Sequence, residues 1–391
     1  MFRKSPKSSQ LDAFTSTEAF FSGKSLRLYE DGTAWHNQFC RHVTMRIDEE
    51  IFSPLYCRDN GTPNAPIRVL VAMMALKEAE GMSDQKLFEG CRFNLLMRRA
   101  LGLQNANDPL PAEATYYLFR KRIVDHANET GENLLDTVFA QITKDQCLEF
   151  EVSGKRMRMD SKLMGSNIAW LGRYELIHGT LRLFHKTLKK NGHTENETLN
   201  RMGELLKMDG NKVAYTSTDQ EIKSRLEELG ELIYKILPVF SSTQNAHYDT
   251  LKRVFDEQYE VGQNKVVLPR AKKEISAKSV QSPHDPDCNY RNKDGQKTKG
   301  YTINVTESCD EEKPLNLIAK VSVKKASAPD VGFLQDGIEA AQEIFTDKPE
   351  AVHADGAYHS PDNQKYCKKN DTELHLHAIQ GAKGRYELGL L

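Results

Sequence analysis

The chain has 391 residues, 39% of them apolar, and a formal net charge of −1 that comes from 54 Lys and Arg against 55 Asp and Glu. This balance excludes a uniformly cationic, histone-like DNA binder but is compatible with a local basic surface. Every apolar run is shorter than the roughly 18 residues of a membrane span, and the first residues lack the apolar stretch that a secretory signal is expected to have. The seven scattered cysteines are typical of free thiols in a reducing cytoplasm.

The N-terminal part of the chain is predicted to be helical after an irregular segment at residues 1–60. Pro66 is placed to open a helix and Ser83 to cap the next one. After a short helix that ends near Gly102, one long helix is predicted from about Pro111 past Ile142. Short helices joined by tight turns favour a helix-turn-helix-like module. Residues 61–150 are therefore predicted to form a helical, DNA-binding-like domain.

Residues 151–391 are predicted to form a core that mixes strands and helices. A strand at 156–160 precedes a helical insertion at about 170–262, where apolar residues recur with helical spacing, and a basic linker follows at 263–300. Strands are then predicted at 301–306, 315–323, 351–355 and 374–379, with helices at 334–345 and 360–370 between them. This order predicts an α+β architecture with a mixed sheet.

Two aspartates stand at the ends of predicted strands in this core. Asp160 closes the strand at 156–160, and Asp355 closes the strand at 351–355. Ligands commonly bind at strand ends in open α/β sheets, and paired carboxylates hold divalent cations that assist phosphoryl transfer. Strand-end aspartates also serve as turn residues, so the pattern alone leaves both interpretations open.

The residues around these aspartates resemble insertion-sequence DDE transposases. The segment MDSKLMGSNIA at 159–169 is similar to the family's first-aspartate segment, and HADGAYHS at 353–360 looks like the second. Residues 66–103 and 114–122 are similar to the N-terminal domain of InsH-like transposases. The SPHDPD segment at 282–287, followed by KGY at 299–301, resembles that family's linker and second strand. The resemblance covers about residues 40–380 in the expected order.

The resemblance implies an RNase H-like core, incomplete in this chain, in which Asp160 and Asp355 bind Mg²⁺ or Mn²⁺, with two ions in an intact site. It implies metal-dependent DNA cleavage and strand transfer, with terminal inverted repeats and target DNA as partners. It also implies a homodimer in a bacterial cytoplasm that associates with the nucleoid when bound to DNA.

The third acidic residue of the family, a Glu on a later helix, has no counterpart that we assign. Glu387 is the only acidic residue after the strand at 374–379, and it lies in a short tail. The resemblance therefore implies a C-terminally truncated copy with impaired cleavage.

Basic residues of the helical domain are the candidate DNA contacts. Lys86 to Ile123 contains seven Lys and Arg against three Asp and Glu. The candidates for binding phosphates are Arg98, Arg99, Arg120, Lys121 and Arg122. The alternative is a solvated helix surface beside acidic neighbours.

Other residues and motifs of the chain bear on the remaining functional classes. His375 and His377 suit the polar face of a strand better than a metal site, because no third ligand has suitable spacing. No Walker-type or dinucleotide-binding motif is present, so no nucleotide cofactor is expected. A non-catalytic, transposase-derived DNA-binding protein stays open as an alternative function. A cellular RNase H-like nuclease is disfavoured by the helical N-terminal block and the long insertion.

Overall fold

The computed structural model describes residues 1–6, 14–192, 197–242, 245–293, 295–310 and 315–377. The helices there are α1 Gly23–Glu30, α2 Trp35–His42, α3 Ile67–Ala79, α4 Asp84–Phe93, α5 Leu95–Ala100, α6 Glu113–Thr130, α7 Leu134–Phe150, α8 Arg173–Lys190, α9 Glu197–Leu205, α10 Gly210–Thr216, α11 Asp219–Val239, α12 Ala246–Gln258, α13 Leu334–Ile344 and α14 Pro361–Lys369. The strands are β1 Arg156–Gly165, β2 Tyr259–Val261, β3 Val267–Pro269, β4 Asn289–Lys293, β5 Gln296–Ser308, β6 Ile318–Lys325, β7 Ala351–Asp355 and β8 Glu373–His377. Helices and a mixed sheet are thus both present, as the sequence predicts.

The chain divides into two compact units, each built from more than one segment. The first unit consists of Met1–Met157, Glu307–Ala319 and Glu339–Pro349. The second unit consists of Arg158–Thr306, Lys320–Ile338 and Glu350–Leu391. The two candidate carboxylates belong to the second unit, and the candidate DNA-binding side chains belong to the first.

The helices of the first unit begin where local capping favours them. The Ser83 hydroxyl accepts a hydrogen bond from the Lys86 amide at 3.3 Å and so caps α4, as predicted. The segment predicted to be irregular contains α1 and α2. The single long helix predicted from Pro111 is instead two helices, because Gly131 adopts a left-handed φ of 78° at the end of α6 and the Asn133 side chain caps α7.

The helical insertion of the second unit has a core of its own. Its helices α8 to α12 lie within the predicted range of 170–262. Ile177, Leu181 and Ile233 are fully buried there, as their helical spacing predicts. At the start of α11, the Thr218 hydroxyl accepts from the Glu221 amide, while the Glu221 carboxylate accepts from the Thr218 amide, a reciprocal cap.

Strands β3 and β4 and the start of β5 interrupt the segment that was predicted to be a linker, and β2 lies at the end of the predicted helical insertion. Strands β2 and β3 form an antiparallel pair, and β4 pairs antiparallel with the start of β5, with Asn289 opposite Gly300. These strands have no apolar alternation, so their hydrogen-bonded pairing is not visible in the sequence pattern.

Within the described ranges, the main sheet has six strands in the order β4-β5-β1-β7-β8, with β6 also paired to β5. Strands β7 and β8 run parallel, with His353 opposite His375 and Asp355 opposite His377. The sequence predicts that β1 ends at Asp160, but the strand continues to Gly165. Pairing with β5 explains the extension, because the Ser166 amide still donates to the Lys299 carbonyl at 2.8 Å.

Candidate functional site

Asp160 and Asp355 lie on neighbouring strands of the sheet. Asp160 is in the middle of β1, and Asp355 is the last residue of β7, which is adjacent to β1. Successive side chains along a strand point to opposite faces of the sheet. The exposed Asp160 is therefore on the other face from the buried Met159, and the half-buried Asp355 is on the other face from the buried Ala354. Two segments 195 residues apart (355 − 160) thus contribute carboxylates to adjacent strands.

Each of these carboxylates uses one oxygen to fix its own backbone. Oδ1 of Asp160 accepts from the Ser161 amide at 2.8 Å. Oδ1 of Asp355 accepts from the Ala357 amide at 2.8 Å and caps the 3₁₀ turn Gly356–Tyr358. Within the described residues, neither Oδ2 accepts a hydrogen bond. One oxygen of each carboxylate is therefore available to a ligand.

A buried tyrosine connects the turn after Asp355 to the strand that carries Asp160. The Tyr358 hydroxyl accepts from Nδ2 of Asn304 at 2.5 Å, and the same Nδ2 donates to the Asp160 carbonyl at 3.2 Å. The pKa of Tyr358 is raised mainly because the side chain is buried, so the phenol stays protonated at neutral pH. Asn304 was not predicted from the sequence. The feature that could have identified it is a polar residue at a position where the strand alternation predicts a buried side chain.

A basic cleft of about 380 Å³ lies beside β1 in the second unit. Three cations line it, Lys162, Arg291 and Lys293, together with the buried Asp330, which lies 4.0 Å from Arg291 and partly neutralises it. Arg291 is anchored by hydrogen bonds from Nη1 to the carbonyls of Ala326 and Ala328, at 3.3 and 3.4 Å. Two of these cations come from the predicted basic linker, which therefore concentrates positive charge near β1.

The histidines of β8 lie beside a third histidine. The rings of His353 and His375 stack with centroids 4.8 Å apart, and Nδ1 of His353 lies 3.1 Å from Nε2 of His377. His353 was not predicted from the sequence, because its partners are distant in the chain. Across the described ranges, no group of three or more His, Cys, Asp or Glu side chains is placed to hold a metal ion. Glu387 lies outside the described residues.

Arg98, a candidate DNA contact, is instead a buried structural residue. Only 4% of it is exposed. Its guanidinium donates to the carbonyls of Asn105 and Asp108, at 2.8 and 2.9 Å, and so holds the loop after α5. Because a side chain so enclosed does not present its charge to a phosphate, we leave Arg98 out of the DNA-binding proposal.

Arg99 is held within the first unit as well, although less deeply. Its Nε donates to Asn37 at 2.9 Å, its Nη1 pairs with Glu18 at 3.1 Å, and its guanidinium lies over the Tyr29 ring. These contacts orient Arg99 and partly neutralise it, so phosphate binding there would compete with Glu18.

The three basic residues of α6 differ in exposure. The Lys121 side chain is 68% exposed, and among the described residues it forms an ion pair with Asp125 alone, one turn along the helix. Arg120 is 44% exposed and lies 3.9 Å from Asp84. Arg122 lies over the Tyr56 ring, with its guanidinium carbon 5.0 Å from the centroid. Lys121 and Arg120 therefore present the most accessible positive charge among the candidates.

Comparison with known proteins bears on this helical region. Residues 29–122 match the family model described as a transposase domain (DUF772). No curated protein and no solved structure matches the chain. No helix among the described residues has the length and apolar character to cross a membrane. The matched residues include all five candidate DNA contacts, and the match supports a transposase role for the protein.

Proposed function

We propose that the protein is a DDE-type transposase that uses Asp160 and Asp355 for metal-dependent DNA strand cleavage and strand transfer on an RNase H-like sheet. The observation that carries this proposal is the adjacency of β1 and β7, which gives the two carboxylates neighbouring strands. The DNA ends of the element, target DNA and a second copy of the chain are the proposed partners, in a bacterial cytoplasm and at the nucleoid.

The donor chemistry of the two residues fits Mg²⁺ or Mn²⁺. Both groups are carboxylates, whose hard oxygens these ions prefer, and each has an oxygen that no described residue occupies. When bound, two such ions activate the attacking oxygen and stabilise the leaving oxygen of a phosphodiester. Two carboxylates leave much of the coordination shell to water and DNA, so we expect weaker metal binding than from three, and cleavage that is correspondingly impaired.

The protein's own residues orient this site and attract the substrate. Asn304 and Tyr358 connect the backbone of Asp160 to the turn after Asp355, so they are positioning residues. Lys162, Arg291 and Lys293 supply positive charge beside β1, where a DNA backbone would approach. This arrangement supports phosphodiester chemistry rather than binding of a small organic substrate.

A nicking assay tests the catalytic proposal. The full chain is incubated with supercoiled plasmid carrying the DNA that flanks its own coding sequence. We expect nicks at the element ends in Mg²⁺ or Mn²⁺ and none in EDTA, because the carboxylates alone cannot stabilise the leaving oxygen. Plasmid without the flanking DNA is the control. Absence of nicking in both metals, or equal nicking in EDTA, would contradict the proposal.

The second candidate function is DNA binding without catalysis, and the exposure of Lys121 and Arg120 favours it. Such a protein would bind the terminal repeats and compete with or pair with an active transposase. It predicts salt-dependent DNA binding whether or not metal is present.

We expect Lys121→Ala to weaken DNA binding similarly for all sequences. The association constant falls as salt rises, and loss of one phosphate contact should make the negative slope of log K against log salt shallower by about 0.9. Gel shifts over a range of KCl concentrations measure this slope. Lys235→Ala, which removes an exposed lysine from α11, is the matched control and should leave the slope unchanged. An unchanged slope for Lys121→Ala would remove Lys121 from the DNA surface.

A further inference from the structure

Two histidines on adjacent strands have the spacing of metal ligands. Nδ1 of His353 on β7 and Nε2 of His377 on β8 are 3.1 Å apart. Metal–imidazole bonds of 2.0–2.1 Å with a ligand angle between 90° and 109° place the two nitrogens about 2.9–3.4 Å apart. The observed separation lies inside that range, and it also permits a hydrogen bond between one donor and one acceptor nitrogen.

The strand pairing keeps this geometry in place. In the parallel pair of β7 and β8, His353 is opposite His375, and His377 is one pair further along, opposite Asp355. All four residues are therefore on one face of the pair. Stacking with His375 and His377, at interplanar angles of 14° and 13°, orients the His353 ring. The two nitrogens are therefore held at a separation suitable for binding one metal ion.

We propose that His353 and His377 form a two-histidine site for a borderline transition-metal ion such as Ni²⁺, Cu²⁺ or Zn²⁺, with water in the remaining positions. Imidazole nitrogen suits these ions and not Mg²⁺. His377 is exposed and His353 half-buried, so an ion can enter from solvent. The site is chemically distinct from the oxygen site proposed at Asp160 and Asp355, and it does not depend on the proposed transposase function.

His375 is the natural comparison within the cluster. It stacks on His353, but its Nε2 lies 3.3 Å from the Glu373 carboxylate. Its Nε2 therefore has a carboxylate partner of its own, and His375 is not placed as a ligand. Bound metal would connect β7 to β8, the last strand in the sheet order among the described residues, and should raise the melting temperature of the folded chain.

Calorimetric titration of the tag-free full chain with Ni²⁺ tests the site. We expect one Ni²⁺ per chain, and a loss of association constant of at least about tenfold in both His353→Asn and His377→Asn. His375→Asn should bind within about twofold of the wild type. Binding should persist in excess Mg²⁺ and in Asp355→Asn, since neither affects the imidazole nitrogens. Melting curves of the metal-free variants establish that each one folds.

Electron paramagnetic resonance of the Cu²⁺-loaded chain counts the imidazole nitrogens bound to the metal. This number would not change if the histidines only stabilised the fold. The wild type and His375→Asn should show coupling to two imidazole nitrogens, and the His353 and His377 variants coupling to one. Equal Ni²⁺ affinity in the wild type and both ligand variants would overturn the proposal. So would displacement of Ni²⁺ by Mg²⁺, or a loss of binding in His375→Asn alone.

Discussion

Replacing Asp355 with asparagine is expected to lower the rate of Mg²⁺-dependent DNA nicking by about a thousandfold, and Asp160→Asn should do the same. The amide keeps the size of the side chain but removes the negative charge that would hold the cation. A loss of about 4 kcal/mol of transition-state stabilisation corresponds to that factor and is within the range for a metal that stabilises a leaving oxygen. Initial rates of plasmid nicking in saturating Mg²⁺ measure the effect.

The matched control for these variants is Asp336→Asn. Asp336 lies on α13 in the same unit and pairs at the surface with Lys324 at 3.0 Å, an interaction of small energy. It should nick DNA at the wild-type rate. If Asp160→Asn and Asp355→Asn retain wild-type nicking while the control does as well, the two carboxylates have no part in the chemistry.

Gly154→Ala is expected to cause a large loss of stability. Gly154 has a left-handed φ of 73°, and a Cβ added there would collide with the ring of Phe345, a residue only 5% exposed. The left-handed conformation costs a non-glycine residue about 1–2 kcal/mol, and overpacking a filled site costs about 1–3 kcal/mol more. The free energy of unfolding, measured by denaturant titration, should fall by about 2–5 kcal/mol.

Gly131→Ala separates the two contributions to this loss. Gly131 also has a left-handed φ, of 78°, but a Cβ there would meet no atom within 4 Å. Only the backbone cost of about 1–2 kcal/mol should remain. Equal destabilisation by the two substitutions would show that Phe345 moves aside and that the site is not tightly packed.

Apart from β2, β3 and β4, the order of strands and helices after residue 150 was predictable because its signals are local. Alternating β-branched residues predict β5, and helical spacing predicts α8 and α11. The break between α6 and α7 was missed, although Gly131 is a recognisable helix stop. The length of β1 was not predictable, because its last residues are in a strand only through pairing with β5.

The candidate site was predictable in part, and the missed residues have one cause. Asp160 and Asp355 were chosen from their strands and from a family resemblance, and the order of the sheet makes those strands neighbours. Asn304 and His353 were missed because their significance comes from partners 54 and 24 residues away. Arg98 was assigned to DNA because charge is visible in a sequence and burial is not.

The position of β7 has a consequence for biosynthesis. Strand β1 lies between β5 and β7 in the sheet. The edge of β1 that pairs with β7 therefore stays unpaired until the ribosome has added the residues between the two strands. At about 5–20 residues per second, the 195 residues between Asp160 and Asp355 take roughly 10–40 s to translate. During that interval the nascent chain exposes an unpaired strand edge, a template for mispairing, and the two carboxylates cannot yet act together. Cleavage by the proposed pair is therefore expected only once residue 355 has been translated, whereas Arg120 and Lys121, the proposed DNA contacts, are made before Asp160.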